Sequence, residues 1–360
     1  MKVIYVAPFY DGTGFANAAI NTVLGMDAAG INIIPYTVKL TAQVIEPPDR
    51  IKELEKLPKD SPDVVIHHML PMMMSYWGGA KNIAYCHLET TNFESSNWQY
   101  YLNCMDEIWV CCEENRLSAE RSGITKPIKV IPIPFDLEIY KKHYAELPLN
   151  IDNSFGFYSI SDWSSRKNIS NLVKCYLEEF TRYDNVKLIL KTYKESTSAQ
   201  QSSQEIANDI AIMKNNLRKY GKDLYPPITL LCDYMPDLTI KRLHKTCNCY
   251  VSAEQGAAWN IPAFEAMAFG NQCITNGWGG QNQFSDNMTD YKMVNVYGMG
   301  HCPYGNLYTC YEQWGEPDYD QLKQKMREAY NKGKIKVDNF AKLEQFNLVN
   351  AGNRIKQILK

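Results

Sequence analysis

Four stretches of the chain carry residue types that could do chemistry, and each reads as a β-strand end running into a turn. The most informative is Ser252-Ala253-Glu254-Gln255-Gly256-Ala257-Ala258-Trp259-Asn260-Ile261, continued by Pro262-Ala263-Phe264-Glu265-Ala266-Met267-Ala268-Phe269-Gly270. Pro262 stands where a helix can start, and Gly270 ends it before the next strand. Glu265 would lie on the first turn of that helix, where a carboxylate can take both hydroxyls of a ribose. The small-residue loop before it offers backbone amides to sugar hydroxyls or phosphate. A second stretch is Ser159-Ile160-Ser161-Asp162-Trp163-Ser164-Ser165-Arg166-Lys167-Asn168. The adjacent cations Arg166 and Lys167, next to a helix N-terminus capped by Asn168, suit a diphosphate. The third, Asp11-Gly12-Thr13-Gly14, leads a strand into a small-residue helix. Its glycines allow backbone N–H groups to approach an anion, although Asn17 stands where a dinucleotide fingerprint has its third glycine. The fourth is His87-Leu88-Glu89-Thr90-Thr91, a His and a Glu two apart that can orient a polar substrate. Each also has a plain structural reading when taken singly: a tight turn, a solvated basic turn, a hydrogen-bonded pair. His67-His68, inside an apolar run, reads as structural.

Such turns need strands to carry them. Apolar or β-branched runs recur at Val3–Phe9, Ile31–Tyr36, Val64–Met69, Asn82–His87, Glu107–Cys112 and Lys129–Pro134, and again at Phe155–Ser161, Lys187–Tyr193, Ile228–Tyr234, Cys249–Glu254, Gln272–Gly277 and Met293–Tyr297. Helix-period stretches lie between many of them. One carries Ile169, Leu172, Val173, Tyr176, Leu177 and Phe180 on a single face. Alternation of strand and helix predicts parallel sheets built from βαβ units. Over 360 residues that means two domains, with a polar linker near Tyr140–Asp152. The expected layout is α/β: two doubly wound, Rossmann-like domains at 1–148 and 149–335, with a C-terminal helix at 336–360 packing back toward the first.

Composition narrows the classes. The chain is 45% apolar and 22% charged with a net charge of −2, which excludes disorder, fibrous structure and a bulk nucleic-acid binder. No apolar run approaches the ~18 residues of a membrane span. Residues 1–150 carry −5 and the remainder +3, an asymmetry that suits an anionic ligand held mainly by the second half. Eleven cysteines without zinc-site spacing or a secretion signal read as reduced thiols, hence a cytoplasmic protein. Asp318-Tyr319-Asp320 sits at a helix start and reads as capping rather than metal binding, so no metal is expected.

Taken in order, the motifs resemble a family. Arg166-Lys167-Asn168, Leu188-Ile189-Leu190-Lys191 and Pro262-x-x-Glu265-Ala266-Met267-Ala268-x-Gly270 look like retaining GT-B glycosyltransferases of the GT4 type. So do Lys81-Asn82-Ile83-Ala84-Tyr85 with Glu89-Thr90-Thr91, Asp106-Glu107-Ile108-Trp109-Val110, Ser122-Gly123-Ile124 and Val130-Ile131-Pro132-x-Pro134-Phe135-Asp136. Trp314-x-Glu316-Pro317-Asp318 leading to Leu322 completes a set that covers about residues 1–330.

The resemblance implies two domains facing across a cleft and transfer of a sugar from a nucleotide-sugar donor to an acceptor hydroxyl with retention. Lys167, with Arg166, would neutralise the leaving diphosphate, and Glu265 would bind the ribose. Gly12-Thr13-Gly14 would bring amides near the phosphates, and His87 would touch the transferred sugar. The donor set is completed by Lys191, Glu254, Ala258, Trp259, Asn260 and Ile261, with Glu89 and Thr90 on the acceptor side. The reaction would need no metal and no cofactor beyond a nucleotide-sugar co-substrate, expected to be UDP-linked. Two positions depart from the family pattern. Ala257 stands eight before Glu265 where a first Glu is usual, with Glu254 or Gln255 as substitutes, and Ser161 stands where an Arg is frequent. The acceptor is expected to be a glycan, lipid or small molecule. A hydroxymethylated base in DNA is the alternative acceptor, and a non-catalytic nucleotide-sugar-binding module the alternative function.

Overall fold

The computed structural model describes residues 1–360 apart from 42–43, 152, 220–223, 301 and 303–304. Its residues fall into two compact units. The first comprises Met1–Ile139, Gly300–Gln313 and Ala341–Lys360, and the second Tyr140–Met299 and Trp314–Phe340.

In the first unit, β1 (Lys2–Ala7), β2 (Asn32–Thr37), β3 (Val64–His67), β4 (Lys81–Cys86), β5 (Glu107–Val110) and β6 (Ile128–Val130) form one parallel sheet in the order β2-β1-β3-β4-β5-β6. The second unit repeats the scheme with β7 (Phe155–Ile160), β8 (Val186–Lys191), β9 (Ile228–Leu231), β10 (Cys249–Val251), β11 (Gln272–Asn276) and β12 (Met288–Thr289), ordered β12-β11-β10-β7-β8-β9. Both are doubly wound Rossmann-like sheets. Helices cover both faces, so central strands are apolar throughout; Val3, Ile4, Tyr5 and Val6 are all buried. The helix Ile169–Glu179 turns Ile169, Leu172, Val173, Tyr176 and Leu177 inward against Phe155, Phe157, Leu188 and Leu190. Each such side chain contributes roughly 1.5–3 kcal/mol on burial.

Three sequence expectations change. The strand expected at Met293–Tyr297 forms instead at Tyr291–Asn295 and belongs to a separate two-stranded sheet with Gln313–Pro317. The two-residue Met288–Thr289, too short to leave a pattern, takes the sheet edge. The unit boundary falls at 139/140 rather than 148/149. The expected linker is tied to the second unit: Arg242 Nε and Nη2 donate to the Ala145 and Glu146 carbonyls, both at 2.9 Å, and Tyr140 and Tyr144 pack edge-on against Phe269. Residues 300–313, grouped by sequence with the second domain, belong to the first unit. There the Gln313 carbonyl accepts from the Thr91 amide at 2.8 Å, and Tyr308 Oη donates to the Glu89 carboxylate.

The helix Leu348–Ile358 lies against Gly14–Ala28 within the first unit. The two backbones come so close that a Cβ on Gly352 would lie 1.9 Å from the Gly25 carbonyl oxygen. Lys356 Nζ donates to the Ala29 carbonyl at 2.7 Å, beside that helix's C-terminus.

Candidate functional site

The order of the second sheet locates a site before any side chain is considered. From β7 the chain winds outward through β8 and β9, then returns to β10 on the other side of β7. Loops leaving β7 and β10 therefore part in opposite directions and open a crevice at their carboxyl ends, the place where doubly wound sheets bind ligands. Those two loops carry Arg166-Lys167 and Glu254–Ile261.

Polar links join the loops. Lys167 Nζ lies 2.9 Å from Glu254 Oε2. Arg166 Nη1 donates to the Gly256 carbonyl at 2.8 Å, and the Gln255 amide donates to the Arg166 carbonyl at 2.8 Å. Glu254 is 2% exposed, whereas the Lys167 side chain is 18% exposed. An ammonium has three donors, so holding Glu254 does not exhaust Lys167. Asn168 occupies the cap position of the helix Ile169–Glu179 but does not cap it. Its backbone is left-handed at φ +56°, and its side chain reaches the Ala253 carbonyl (3.0 Å) and Tyr319 Oη (3.1 Å). The helix thus begins without a side-chain cap next to two cations. Lys191 ends β8, paired in register with Ile160 at the end of β7, and its ammonium stands 5.5 Å from the Tyr193 ring. Burial lowers the Lys191 pKa.

The loop after β10 is buried along its whole length, Ser252 to Asn260. Asn260, at φ +69°, caps the next helix by accepting from the Ala263 amide at 3.2 Å, so Pro262 falls at the second helical position. Trp259 is 3% exposed and packs on Phe264 and Phe284. Ala258, 8% exposed, is backed by Gly280, whose missing Cβ would lie 1.8 Å from the Ala258 carbonyl oxygen. Ala257 carries no carboxylate, and its carbonyl accepts from the Gly280 amide at 2.9 Å. The acid of this loop is Glu254. Glu265 is the fifth residue of the helix Ile261–Ala268, past the first turn where the sequence placed it. Its Oε1 accepts from Tyr140 Oη at 3.3 Å, and Oε2 lies 3.4 Å from His244 Nε2. Nothing in the sequence pattern marks Tyr140 or His244 as its partners.

In the first unit the reversal lies between β1 and β3. Gly12 has φ +63°, Thr13 caps the helix Gly14–Ala28, and its Oγ1 accepts from the Ala16 amide at 3.2 Å. The turn also holds its own carboxylate. Asp11, 3% exposed, accepts at Oδ1 from the Thr13 amide (3.1 Å) and from Thr13 Oγ1 (2.6 Å). One of the amides expected to meet phosphate, that of Thr13, is therefore already bonded. His87, at the end of β4, is held by His68 across an Nε2–Nε2 distance of 2.7 Å, with Cys111 Sγ 3.4 Å from its Nδ1. His68 was read from sequence as structural, yet the fold brings it to His87. Burial pushes the His87 pKa down to about 4 and holds His68 well below its ordinary value, so both are neutral at pH 7. Glu89 bonds Tyr308, and Thr90 Oγ1 donates to the Asn92 carbonyl at 2.8 Å.

No family model and no curated protein matches the sequence. Solved structures match over the full length. One from E. coli, described as trehalose-6-phosphate bound with UDP-2-fluoro glucose, is 12% identical with a TM-score of 0.67, covering 100% of this chain and 99% of its own. An α,α-trehalose-phosphate synthase (UDP-forming) from Burkholderia xenovorans, in complex with glucose-6-phosphate, is 10% identical with a TM-score of 0.64 and covers 100% of both chains. AviGT4, a glycosyltransferase involved in avilamycin A biosynthesis, is 14% identical with a TM-score of 0.57, covering 99% of this chain and 96% of its own. The fold is the GT-B arrangement of two Rossmann-like units that these glycosyltransferases have. Among the described residues, no helix is long and apolar enough to cross a membrane.

Proposed function

We propose that the protein is a retaining glycosyltransferase that binds a nucleotide-sugar donor at the β7/β10 crevice and passes its sugar to an acceptor hydroxyl. The observation that carries this reading is the convergence of Arg166, Lys167 and Glu254 at the one place in the second sheet where the winding reverses, with Glu265 on the helix that follows. In the proposed reaction the bond from the anomeric carbon to the diphosphate oxygen breaks, a bond to the acceptor oxygen forms on the same face, and the acceptor hydroxyl's proton leaves with the departing diphosphate. Negative charge grows on the leaving diphosphate, where Lys167, Arg166, Lys191 and the uncapped helix N-terminus at Ile169 would stabilise it. Glu265 takes the ribose. Glu254 replaces the absent acid at Ala257, joined by Ala258, Trp259, Asn260 and Ile261 on the sugar. The sequence resemblance supports His87 for the transferred sugar, Gly12, Thr13 and Gly14 for the phosphates, and Glu89 and Thr90 for the acceptor. The UDP-linked donor of the E. coli neighbour and the UDP-forming description of the Burkholderia one support uridine as the base. The sequence motifs support the finer GT4 grouping and independence of metal, and the eleven cysteines, read as reduced thiols, support a cytoplasmic location.

A thermal-shift panel of nucleotide sugars tests the reading. A donor at a hundred times its dissociation constant stabilises by roughly 2.7 kcal/mol. The expected outcome is a shift with UDP-sugars, followed by nucleotide release with an acceptor, a product that keeps the donor's anomeric configuration by NMR, and a rate unchanged by EDTA. No shift with any nucleotide sugar, or an inverted product, overturns it.

A further inference from the structure

The first unit holds a chain of side-chain hydrogen bonds that the proposed transfer does not by itself require. Tyr5 Oη lies 2.7 Å from His68 Nδ1, His68 Nε2 lies 2.7 Å from His87 Nε2, His87 Nδ1 lies 3.4 Å from Cys111 Sγ, and Cys111 Sγ lies 3.4 Å from Asn115 Oδ1. The far end offers the thiol an acceptor. Asn115 Nδ2 donates to the Leu88 carbonyl at 2.6 Å, and Oδ1 accepts from the Leu88 amide at 3.0 Å. Backbone groups have fixed roles, so the amide of Asn115 cannot be turned round. Its oxygen faces Cys111, and only the thiol can donate between them. With the S–H so directed, Sγ receives Nδ1–H of His87. Nε2 of His87 then carries a lone pair, His68 must present Nε2–H to it, and Nδ1 of His68 accepts from Tyr5. Every donor in the chain finds an acceptor in this arrangement.

We infer that His68 is a positioning residue: it fixes His87 as the Nδ1–H tautomer, so that the nitrogen His87 offers to a ligand is an acceptor suited to a hydroxyl. The inference rests on the proposed transferase reading for the ligand, which His87 would meet as a sugar. His68 is fully buried, stacked on Tyr85 with ring centroids 4.4 Å apart, while Phe15 packs edge-on to His87 at 5.2 Å. These contacts hold the two ring planes, and the imidazoles must part for a hydroxyl to enter between their Nε2 atoms. A hydroxyl reaching His87 Nε2 can give its proton to that nitrogen and accept the N–H that His68 releases, leaving neither imidazole unsatisfied. A phosphate or carboxylate oxygen has no proton to give and would face a lone pair.

Imidazole ¹⁵N spectra of the full, unliganded chain at neutral pH test the assignment without any substrate. The wild type should show His87 protonated at Nδ1 and His68 at Nε2, each as a single tautomer. His68→Leu should turn the His87 signals into a tautomer mixture. His68→Gln, whose amide can accept from Tyr5 and donate to His87, should restore the single form, and Tyr5→Phe should loosen it without touching either ring. With an active donor identified, His68→Leu should lower kcat at least tenfold at unchanged donor affinity, and His68→Gln should recover most of it. A wild-type His87 protonated at Nε2, or a folded His68→Gln as impaired as His68→Leu, overturns the inference. Loss of the transferase reading would appear separately, as a wild type that turns over no donor yet shows the stated tautomers, and that result would leave the assignment of His68 in place.

Discussion

Lys167 and Glu254 stand 2.9 Å apart with the carboxylate 2% exposed, and this changes what a substitution at either position can mean. Lys167→Ala removes a phosphate contact, but it also leaves a buried carboxylate without its partner. Breaking a fully buried pair from one side costs about 3–5 kcal/mol, and less where one partner keeps some solvent, as Lys167 does. The single variant is therefore expected to lose both melting temperature and turnover. Lys167→Met combined with Glu254→Gln should regain most of the melting temperature while turnover stays down on the order of a hundredfold, since a contact to developing diphosphate charge is worth about 2.7–4 kcal/mol. Turnover within tenfold of wild type in a stable double variant would remove Lys167 from the reaction. Ala257→Glu should not rescue a sugar contact, because Ala257 is 3% exposed and the new carboxylate would be buried. Glu254→Gln should instead be the change that alters the ratio of hexose to pentose donor rates, and equal ratios would count against Glu254 on the sugar. At this scale the sequence singled out Arg166, Lys167 and Glu265 as candidates, because a strand, a turn and a helix start leave a local signature. It hid the Lys167–Glu254 bond, whose partners lie 87 positions apart. It also hid His68, because a two-residue histidine run in a strand covered on both faces gives no alternation by which to choose a side.

The β10 loop shows how one element is held by another that no local motif connects to it. Gly279 and Gly280 follow β11 and sit directly behind Ala257 and Ala258; Gly279 has φ +113°, and Gly280 approaches too closely for any side chain. Gly280→Ala should push the Ala258 carbonyl and Trp259 out of place, at a cost of roughly 1–3 kcal/mol for an overpacked contact. A lower melting temperature together with a smaller thermal shift on adding UDP-sugar is the expected pair of results. Full retention of both would mean that the loop does not depend on this contact. Strands were legible because parallel strands covered on both faces are continuous apolar runs, and eleven of the twelve expected runs coincide with strands of the two large sheets. The exception, Tyr291–Asn295, has a strand-like composition but pairs elsewhere. Composition records a preference for extended backbone, whereas the choice of neighbour is made by contacts far along the chain.

For the molecule as a whole, the alternation of strand and helix foretold two sheets, but it could not assign residues 300–313 to the first unit. Tyr308 and Gln313 reach Glu89 and Thr91 across more than two hundred positions, with no periodic pattern to announce it. The first unit should also respond to acid. His67, His68 and His87 all belong to the first, and burial lowers the pKa of each, that of His87 to about 4. These groups are neutral in the native state and bind protons near pH 6.5 once unfolded. Unfolding therefore takes up protons as pH falls below about 6.5, so their stabilising effect is complete at neutral pH and declines toward pH 4. For His87 alone the loss by pH 5 is on the order of 2 kcal/mol. Melting followed between pH 7.5 and pH 5, above the range where most carboxylates titrate, should show a steep fall in wild type. His68→Gln, which keeps the hydrogen bonds but cannot take up a proton, should show a shallower one. Parallel curves for the two proteins would mean that the buried imidazoles of the first sheet do not set the acid limit of the fold.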